Sequence, residues 1–248
     1  DGSPQFVPVE QTLTALEGGA ASMVFASGMA AATAVFFSLA PKDRVVVSTA
    51  MYWALRKWIV RFGATWGLDV VLVDAWDDAA LERAVNGGPT KLVWIETPSN
   101  PLLNIFDIAA ITKIAQSKNL LTIADNTFLS PALQKPITLG ADFVVHSTTK
   151  YLNGHSDVVG GAVVAAKPED VAELIWWANC TGVTGAPFDS WLTLRGLRTL
   201  HVRLAQQQQT AALVAQRLSE LPGVIAVGGT DNFPFTGERV ERNSINIE

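Results

Sequence analysis

Short apolar segments of strand length alternate with segments of helical periodicity along most of the 248-residue chain. One strand with its following helix takes about 20 to 30 residues, which is typical of strands joined through helices in a parallel sheet. The alternation therefore predicts an α/β fold with a mainly parallel central sheet. A short buried segment, either a strand or a loop, is expected at 20–25. Strands are expected at 45–48, 70–73, 91–95, 120–124, 143–145 and 162–166, and helices at 10–16, 29–39, 51–62, 77–86, 108–117 and 168–178.

Polar side chains follow three of these apolar strands, at the point where each strand ends. Ligands of parallel sheets bind at the carboxyl ends of the strands. We therefore expect the three clusters to converge on one edge of the sheet. The clusters are Glu96 with Asn100, Asp125 with Thr127, and Ser147 with Thr149 and Lys150.

Lys150 follows the apolar residues 143–145, in a segment that runs from Ala141 to Gly161. An ammonium at the edge of an apolar interior is expected to be desolvated, which lowers its pKa and makes it a better nucleophile. Such an amine forms a Schiff base with an aldehyde, and the hydroxyls of Ser147 and Thr149 can bind a phosphate. Pyridoxal 5'-phosphate (PLP) carries both groups. The alternative is that Lys150 only ends a strand at the surface.

A second candidate phosphate site is the Ser27-Gly28 turn before the helix predicted at 29–39. The first backbone N–H groups of a helix have no acceptor inside the helix and therefore bind anions readily. Small-residue turns before helices are common, so this feature alone does not establish a site.

Three further polar residues have both a functional and a structural interpretation. Asp125 can keep a pyridine nitrogen protonated, or it can cap a helix or turn. Tyr52 can stack on the ring or move a proton, or it can be a half-buried core tyrosine. Asn100 can bind a phenolate oxygen or a substrate carboxylate, or it can be the turn residue before Pro101.

Composition and motifs argue against several other classes of function. The net charge of -5 gives no reason to expect a nucleic acid or an anionic membrane as partner. Cys180 is the one cysteine, which indicates a reducing compartment, so we expect a cytoplasmic protein.

His146 and His155 have no second ligand at a familiar spacing, so no metal site is expected. The chain also has no dinucleotide fingerprint, P-loop or nucleophile elbow.

The C-terminal part of the chain is predicted to leave the main domain. One long helix is expected at 195–220, with Leu200, Leu204, Leu213 and Leu218 near one face. Residues 224–227 are expected to open a smaller domain, for which 228–248 supply too little apolar sequence. We predict a large domain at 1–205, and a linking helix with the remnant of a small domain at 206–248.

Five motifs carry a resemblance to a known family. They are LEGG at 16–19, SGMAA at 27–31, ETPSNP at 96–101, ADNTF at 124–128 and HSTTKYLNGHSD at 146–157. With these motifs the chain resembles the Cys/Met-metabolism family of PLP enzymes over roughly residues 1–227. The resemblance implies the three-layer fold of type I PLP-dependent transferases, with the C-terminal small domain largely missing.

The resemblance also implies a role for each candidate residue. Lys150 would form the Schiff base with PLP, and Asp125 would face the pyridine nitrogen. Tyr52 would stack on the ring, although the usual Gly-Gly after it is here Trp53-Ala54. Backbone N–H groups of Gly28 and Met29 would bind the phosphate, with hydroxyls from Ser147 and Thr149. The catalytic residues are thus Lys150 and Tyr52, and the cofactor-binding residues are Ser27, Gly28, Met29, Tyr52, Asn100, Asp125, Thr127, Ser147, Thr149 and Lys150.

The resemblance is greatest to the bacterial cystathionine gamma-synthases of the family at 129–142 and 176–200. It implies gamma-replacement, in which an O-acyl-L-homoserine and L-cysteine give cystathionine, a step of transsulfuration and methionine biosynthesis. Alternatives within the family are a cystathionine or methionine lyase and an O-acylhomoserine sulfhydrylase. A non-enzymatic alternative is a catalytically incomplete fragment that retains the fold and the subunit interface.

The sequence departs from the family pattern at both ends. The tyrosine and arginine that reach the neighbouring subunit's phosphate in this family would precede Asp1. Arg242 is the candidate for binding the substrate carboxylate, together with Asn100. Family members build their sites across a dimer interface, so a homodimer or homotetramer with shared sites is expected.

Overall fold

The computed structural model describes residues 6–73 and 78–224. Within these ranges one sheet has seven strands in the spatial order β1-β7-β6-β5-β4-β2-β3. All pairs from β3 through β6 are parallel, and β7 pairs antiparallel with both β6 and β1. The mainly parallel sheet predicted from the sequence is therefore confirmed. The strands are β1 (Ala21–Phe25), β2 (Arg44–Ser48), β3 (Asp69–Val73), β4 (Thr90–Glu96), β5 (Leu121–Asp125), β6 (Phe143–His146) and β7 (Gly161–Ala165).

Helices connect these strands close to the predicted positions. None of the helices that the structure describes is long and apolar enough to cross a membrane. They are α1 (Val7–Glu17), α2 (Gly28–Phe37), α3 (Trp53–Trp66), α4 (Asp78–Asn86), α5 (Ile108–Gln116), α6 (Ser130–Leu133), α7 (Val171–Thr181), α8 (Pro187–Leu197) and α9 (Leu200–Ser219).

Alternate residues of the central strands pack into two separate apolar layers. On β4, Leu92 and Trp94 belong to a cluster that contains Phe36 of α2. Val93 and Ile95 belong to a second cluster, which includes residues of α4 and α5. Because side chains alternate between the faces of a strand, both faces of the sheet are covered by helices. This arrangement confirms the predicted three-layer α/β architecture.

The prediction of a single helix at 195–220 is wrong, since the structure has two helices in this region. Helix α8 ends at Leu197 and α9 begins at Leu200, because Thr199 leaves helical geometry at φ -114° and ψ 7°. A Cβ on Gly196 would collide with the backbone of Asn153, so α8 lies in close contact with the segment after Lys150. Apolar spacing continues through Thr199 and therefore gave no sign of the break.

The chain divides into two compact units, Asp1–Arg198 and Thr199–Glu248. The predicted division at residue 205 stays a prediction. In α9, Leu200 and Leu204 are buried, whereas Leu213 and Leu218 are exposed, so only the first two behave as core residues. Residues 225–227, expected in the smaller domain, lie outside the described ranges.

Candidate active site

The N-terminus of α2 is built by Ser27. Its backbone is extended, and its hydroxyl oxygen accepts the N–H of Ala30 at 3.0 Å. Its carbonyl accepts the N–H of Ala31 at 3.0 Å. The amides of Gly28 and Met29 lie at the start of the helix, where no carbonyl of the helix can accept a hydrogen bond from them. They therefore present two N–H donors at the start of the helix, and their role in binding a phosphate stays a prediction.

Gly28 brings this helix start against the residue that follows β6. A Cβ added at Gly28 would lie 2.6 Å from Cβ of Ser147 and 2.9 Å from its Oγ. Only glycine allows this approach. Two backbone amides and one serine hydroxyl thus share a small cradle, and this donor set fits a phosphate group.

Thr127 connects the ends of β5 and β6. Its backbone N–H donates to Oδ1 of Asp125 at 3.0 Å, and its Oγ1 accepts the N–H of Ser147 at 2.8 Å. Since β5 and β6 are parallel neighbours, this bridge fixes a carboxylate beside the phosphate cradle. The structure therefore brings together the Asp125 and Ser147 clusters that the sequence placed at one edge.

Two carboxyl groups share that edge, because Glu96 and Asp125 are register partners on β4 and β5. Burial raises the pKa of Asp125, and hydrogen bonds from Thr127 and the charge of His146 act in the opposite direction. Burial, with a smaller contribution from the charge of Asp125, raises the pKa of Glu96 to about 8. A cation beside these groups, such as a protonated pyridine nitrogen, would favour the ionised form of Asp125.

Glu96 also makes contacts that the sequence did not predict. Its Oε2 accepts the backbone N–H of Tyr52 at 2.8 Å, and its Oε1 accepts that of Asn100 at 2.7 Å. The side chains of Tyr52 and Asn100 are exposed. The Tyr52 side chain is 37% exposed, and the centroid of its ring is 6.3 Å from that of Trp53.

Lys150 lies in a tight turn after β6, where its N–H donates to the carbonyl of Ser147 at 3.2 Å. Thr149 closes this turn, because its Oγ1 bonds the carbonyl of Gly160 at 3.2 Å and the N–H of Gly160 at 3.1 Å. The Lys150 side chain is exposed. The expectation that the chain itself would desolvate this ammonium is therefore wrong, because β6 ends at His146 and the turn carries the lysine out of the interior.

A buried polar network behind the site was not found by sequence reasoning. His146 and Glu17 are in contact, and Asn126 donates from Nδ2 to Oε1 of Glu17 at 2.9 Å. Gln134 joins the network by donating to Oδ1 of Asn126 at 3.0 Å. Glu17 lies in the LEGG motif, so the motif marked the residue, but only the fold shows its partners.

Two further expectations concern a metal and a substrate. Among the residues that the structure describes, no group of three His, Cys, Asp or Glu side chains is placed to hold a metal ion. The predicted substrate-binding residue Arg242 lies outside the described ranges.

Known proteins resemble the chain in both sequence and structure. Cystathionine gamma-synthase of Escherichia coli (strain K12) is 46% identical over 89% of this chain and 57% of its own length. Cystathionine beta-lyase of Coxiella burnetii is 42% identical, with coverage of 90% and 58%. The crystal structure of cystathionine gamma synthase from Xanthomonas oryzae pv. oryzae in complex with cystathionine superposes with a TM-score of 0.87 at 46% identity, covering 90% of this chain and 58% of that one.

The chain thus spans little more than half the length of these relatives. The family model for Cys/Met metabolism PLP-dependent enzymes matches residues 1–230. This match includes both the glycine cradle and the Asp125 bridge. Since it covers most of the sequence, the protein belongs to the family of Cys/Met metabolism PLP-dependent enzymes.

Proposed function

We propose that this protein catalyses gamma-replacement, joining an O-acyl-L-homoserine with L-cysteine to give cystathionine and the free carboxylic acid. The observation that carries the proposal is the bridge from Asp125 through Thr127 to Ser147, which sets a carboxylate beside a phosphate cradle. Cystathionine gamma-synthases among the relatives favour this reaction over others in the family.

Each part of PLP has a matching group in this site. The amides of Gly28 and Met29 and the hydroxyl of Ser147 would hold the phosphate, and Asp125 would hold the pyridine nitrogen. Lys150 would bind the aldehyde. The hydroxyl of Thr149 also belongs to the proposed phosphate set. When bound, PLP withdraws electrons from the carbon atoms of the amino acid substrate.

Lys150 is the group that we assign to proton transfer. Its amine is exposed beside the predicted cofactor site, so it can take a proton from the substrate α-carbon and later return one. Asp125 stays ionised in this scheme and holds a proton on the pyridine nitrogen. Tyr52 and Asn100, held by Glu96, would orient the ring and the substrate carboxylate.

A product assay of the protein with PLP, O-succinylhomoserine and cysteine tests the proposal. The proposed reaction gives cystathionine and succinate in equal amounts, whereas elimination consumes water and gives 2-oxobutyrate, ammonia and succinate. The two outcomes are resolved by mass. Cystathionine as the main product supports gamma-replacement, and 2-oxobutyrate as the main product would overturn it.

A lyase is the second candidate, because the Coxiella burnetii relative named as a beta-lyase is nearly as similar as the synthases. Incubation with cystathionine alone separates the two, since a lyase releases ammonia and a thiol from it. A catalytically incomplete chain is the non-enzymatic alternative, and it predicts no product from either assay and no retained PLP.

We also propose that the protein acts as a homodimer or homotetramer in the cytoplasm, with sites shared between subunits. Family resemblance supports the shared site, and the single cysteine supports a reducing compartment. Sedimentation at several protein concentrations tests the assembly, and a monomer at all concentrations would contradict it.

A further inference from the structure

The Glu96 carboxyl joins two segments that reach the candidate site from different parts of the fold. It stands at the end of β4 and is only 5% exposed. Tyr52 comes from the start of α3, 44 residues earlier, and Asn100 from the turn that follows β4. One buried side chain therefore sets the positions of the two exposed residues assigned to ring stacking and carboxylate binding.

Both amides depend on this acceptor for reasons that are visible in the local sequence. Tyr52 is the residue before the first turn of α3, where backbone N–H groups have no acceptor in the helix. Asn100 lies between Pro98 and Pro101. Since proline has no backbone N–H, neither of these residues competes with the Asn100 amide for the Glu96 carboxyl. Because Glu96 bonds to the backbone amides, it positions Tyr52 and Asn100 independently of the conformations of their side chains.

A carboxylate at this position has a cost, because it is buried beside Asp125. Burial and the Asp125 charge both act against its ionisation. Glutamine would avoid the charge, but its side chain has one acceptor oxygen where glutamate has two. In the structure, each of the two carboxyl oxygens of Glu96 accepts a hydrogen bond from one of the two amides.

We propose that Glu96 is a positioning residue that holds Tyr52 and Asn100 at the fixed separation needed to bind PLP and the substrate carboxylate. This inference rests on the proposed PLP-dependent function. The hydrogen bonds that the structure describes for Glu96 go to these two backbone amides, so its removal should affect binding more than the rate of the chemical step.

Glu96→Gln is the primary test, since it keeps the size of the side chain and loses one acceptor. The dissociation constant for PLP, followed by absorbance, should rise about tenfold, corresponding to the loss of one buried hydrogen bond. At saturating PLP, KM for O-succinylhomoserine should rise by a similar factor while kcat changes less than threefold. Glu96→Asp, which keeps the carboxyl group but is too short to reach both amides, should show the same pattern.

Asp142→Asn is the matched control. Asp142 also accepts two hydrogen bonds, both on Oδ2, from the N–H of Thr122 at 2.8 Å and from its hydroxyl at 2.9 Å. It precedes β6, at the edge of the sheet opposite the candidate site. This variant should lower the melting temperature and leave the PLP dissociation constant and KM unchanged.

The possible outcomes separate this inference from the function on which it rests. Wild-type PLP affinity and KM in both Glu96 variants would overturn the positioning role and leave the proposed function intact. Failure of both variants to fold would also overturn it, because Glu96 would then be a requirement of the fold. A wild-type protein that binds no PLP would overturn both proposals together.

Discussion

Nε2 of His146 lies 2.6 Å from Oε1 of Glu17, and neither side chain is exposed to solvent. The contact joins the end of α1 to the end of β6, across 129 positions of the sequence. Asn126, which directly follows Asp125, donates to the same oxygen. The two residues next to Asp125 and Ser147 are thus tied together beneath the candidate site.

Removing Glu17 should destabilise the whole fold. Glu17→Ala leaves His146 and Asn126 buried without the carboxyl oxygen that both of them contact, and we expect a loss of about 3 to 5 kcal/mol in the free energy of unfolding. Urea unfolding of the cofactor-free protein measures it. Glu82→Ala, at an exposed glutamate of α4, is the control and should stay within about 0.5 kcal/mol of wild type. Equal stabilities of the two variants would contradict the role of the network.

The stability of the cofactor-free protein should depend on pH through Glu96. Its pKa is raised from 4.5 to about 8, so between these values the folded state binds more protons than the unfolded state. Stability should therefore be greatest at the acidic end and fall as pH rises through 8, by roughly 1.4 kcal/mol for each unit of the shift. The other group facing Glu96 is Asp125, whose pKa is raised as well and which adds in the same direction.

Glu96→Gln isolates that contribution, because it removes one titrating group and leaves Asp125. Free energies of unfolding measured from pH 5 to pH 9 should decline less steeply in the variant than in the wild type. Identical slopes would show that Glu96 does not titrate in this window.

The mainly parallel sheet and the edge that carries the site could be predicted because they depend on local patterns, whereas the order of the strands was not predicted. Apolar runs and the polar residues after them are visible in the sequence, and Asp125, Thr127 and Ser147 do meet. The contact between Glu17 and His146 and the exposure of Lys150 could not be predicted in this way. They depend on which elements pack together and on the path of a turn, and single-sequence periodicity carries neither.

Gly28→Ala should weaken cofactor binding through a steric clash. The new methyl group would meet Cβ of Ser147 at 2.6 Å and force the start of α2 away from it. We expect the PLP dissociation constant to rise at least tenfold, with a loss of about 1 to 3 kcal/mol in stability. Gly63→Ala is the control, since Gly63 lies in α3 and its new methyl group would collide with Val70 of β3, away from the cradle. A similar loss of PLP affinity in both variants would count against a specific role for Gly28.

Lys150→Ala should abolish turnover while the protein still folds, because the side chain is exposed and its removal leaves no cavity. Borohydride reduction of the wild type in the presence of PLP should attach the cofactor to Lys150, as read by peptide mass. Lys167→Ala, at another exposed lysine, should leave both results unchanged. A Lys150 variant with a tenth or more of wild-type activity would exclude this lysine from catalysis.

Thr127→Val tests the bridge between the two strands. Valine keeps the shape of threonine but removes Oγ1, so the amide of Ser147 loses its acceptor. The side-chain hydrogen bond from Thr127 also lowers the pKa of Asp125, so its loss should raise that pKa further above its ordinary value, while the backbone N–H bond to Asp125 remains. A higher pKa disfavours the ionised form of Asp125, and we expect the PLP dissociation constant to rise about tenfold.

The pH dependence of this deficit separates its two causes. As pH rises, Asp125 ionises in the variant as well, so the part of the deficit that depends on its charge should shrink. The part that comes from the unpaired Ser147 amide does not titrate and should remain at every pH. Thr127→Ser restores the hydroxyl and should bind PLP within about threefold of wild type. A deficit in Thr127→Val that is constant from pH 6 to pH 9 would show that the bridge acts on Ser147 alone.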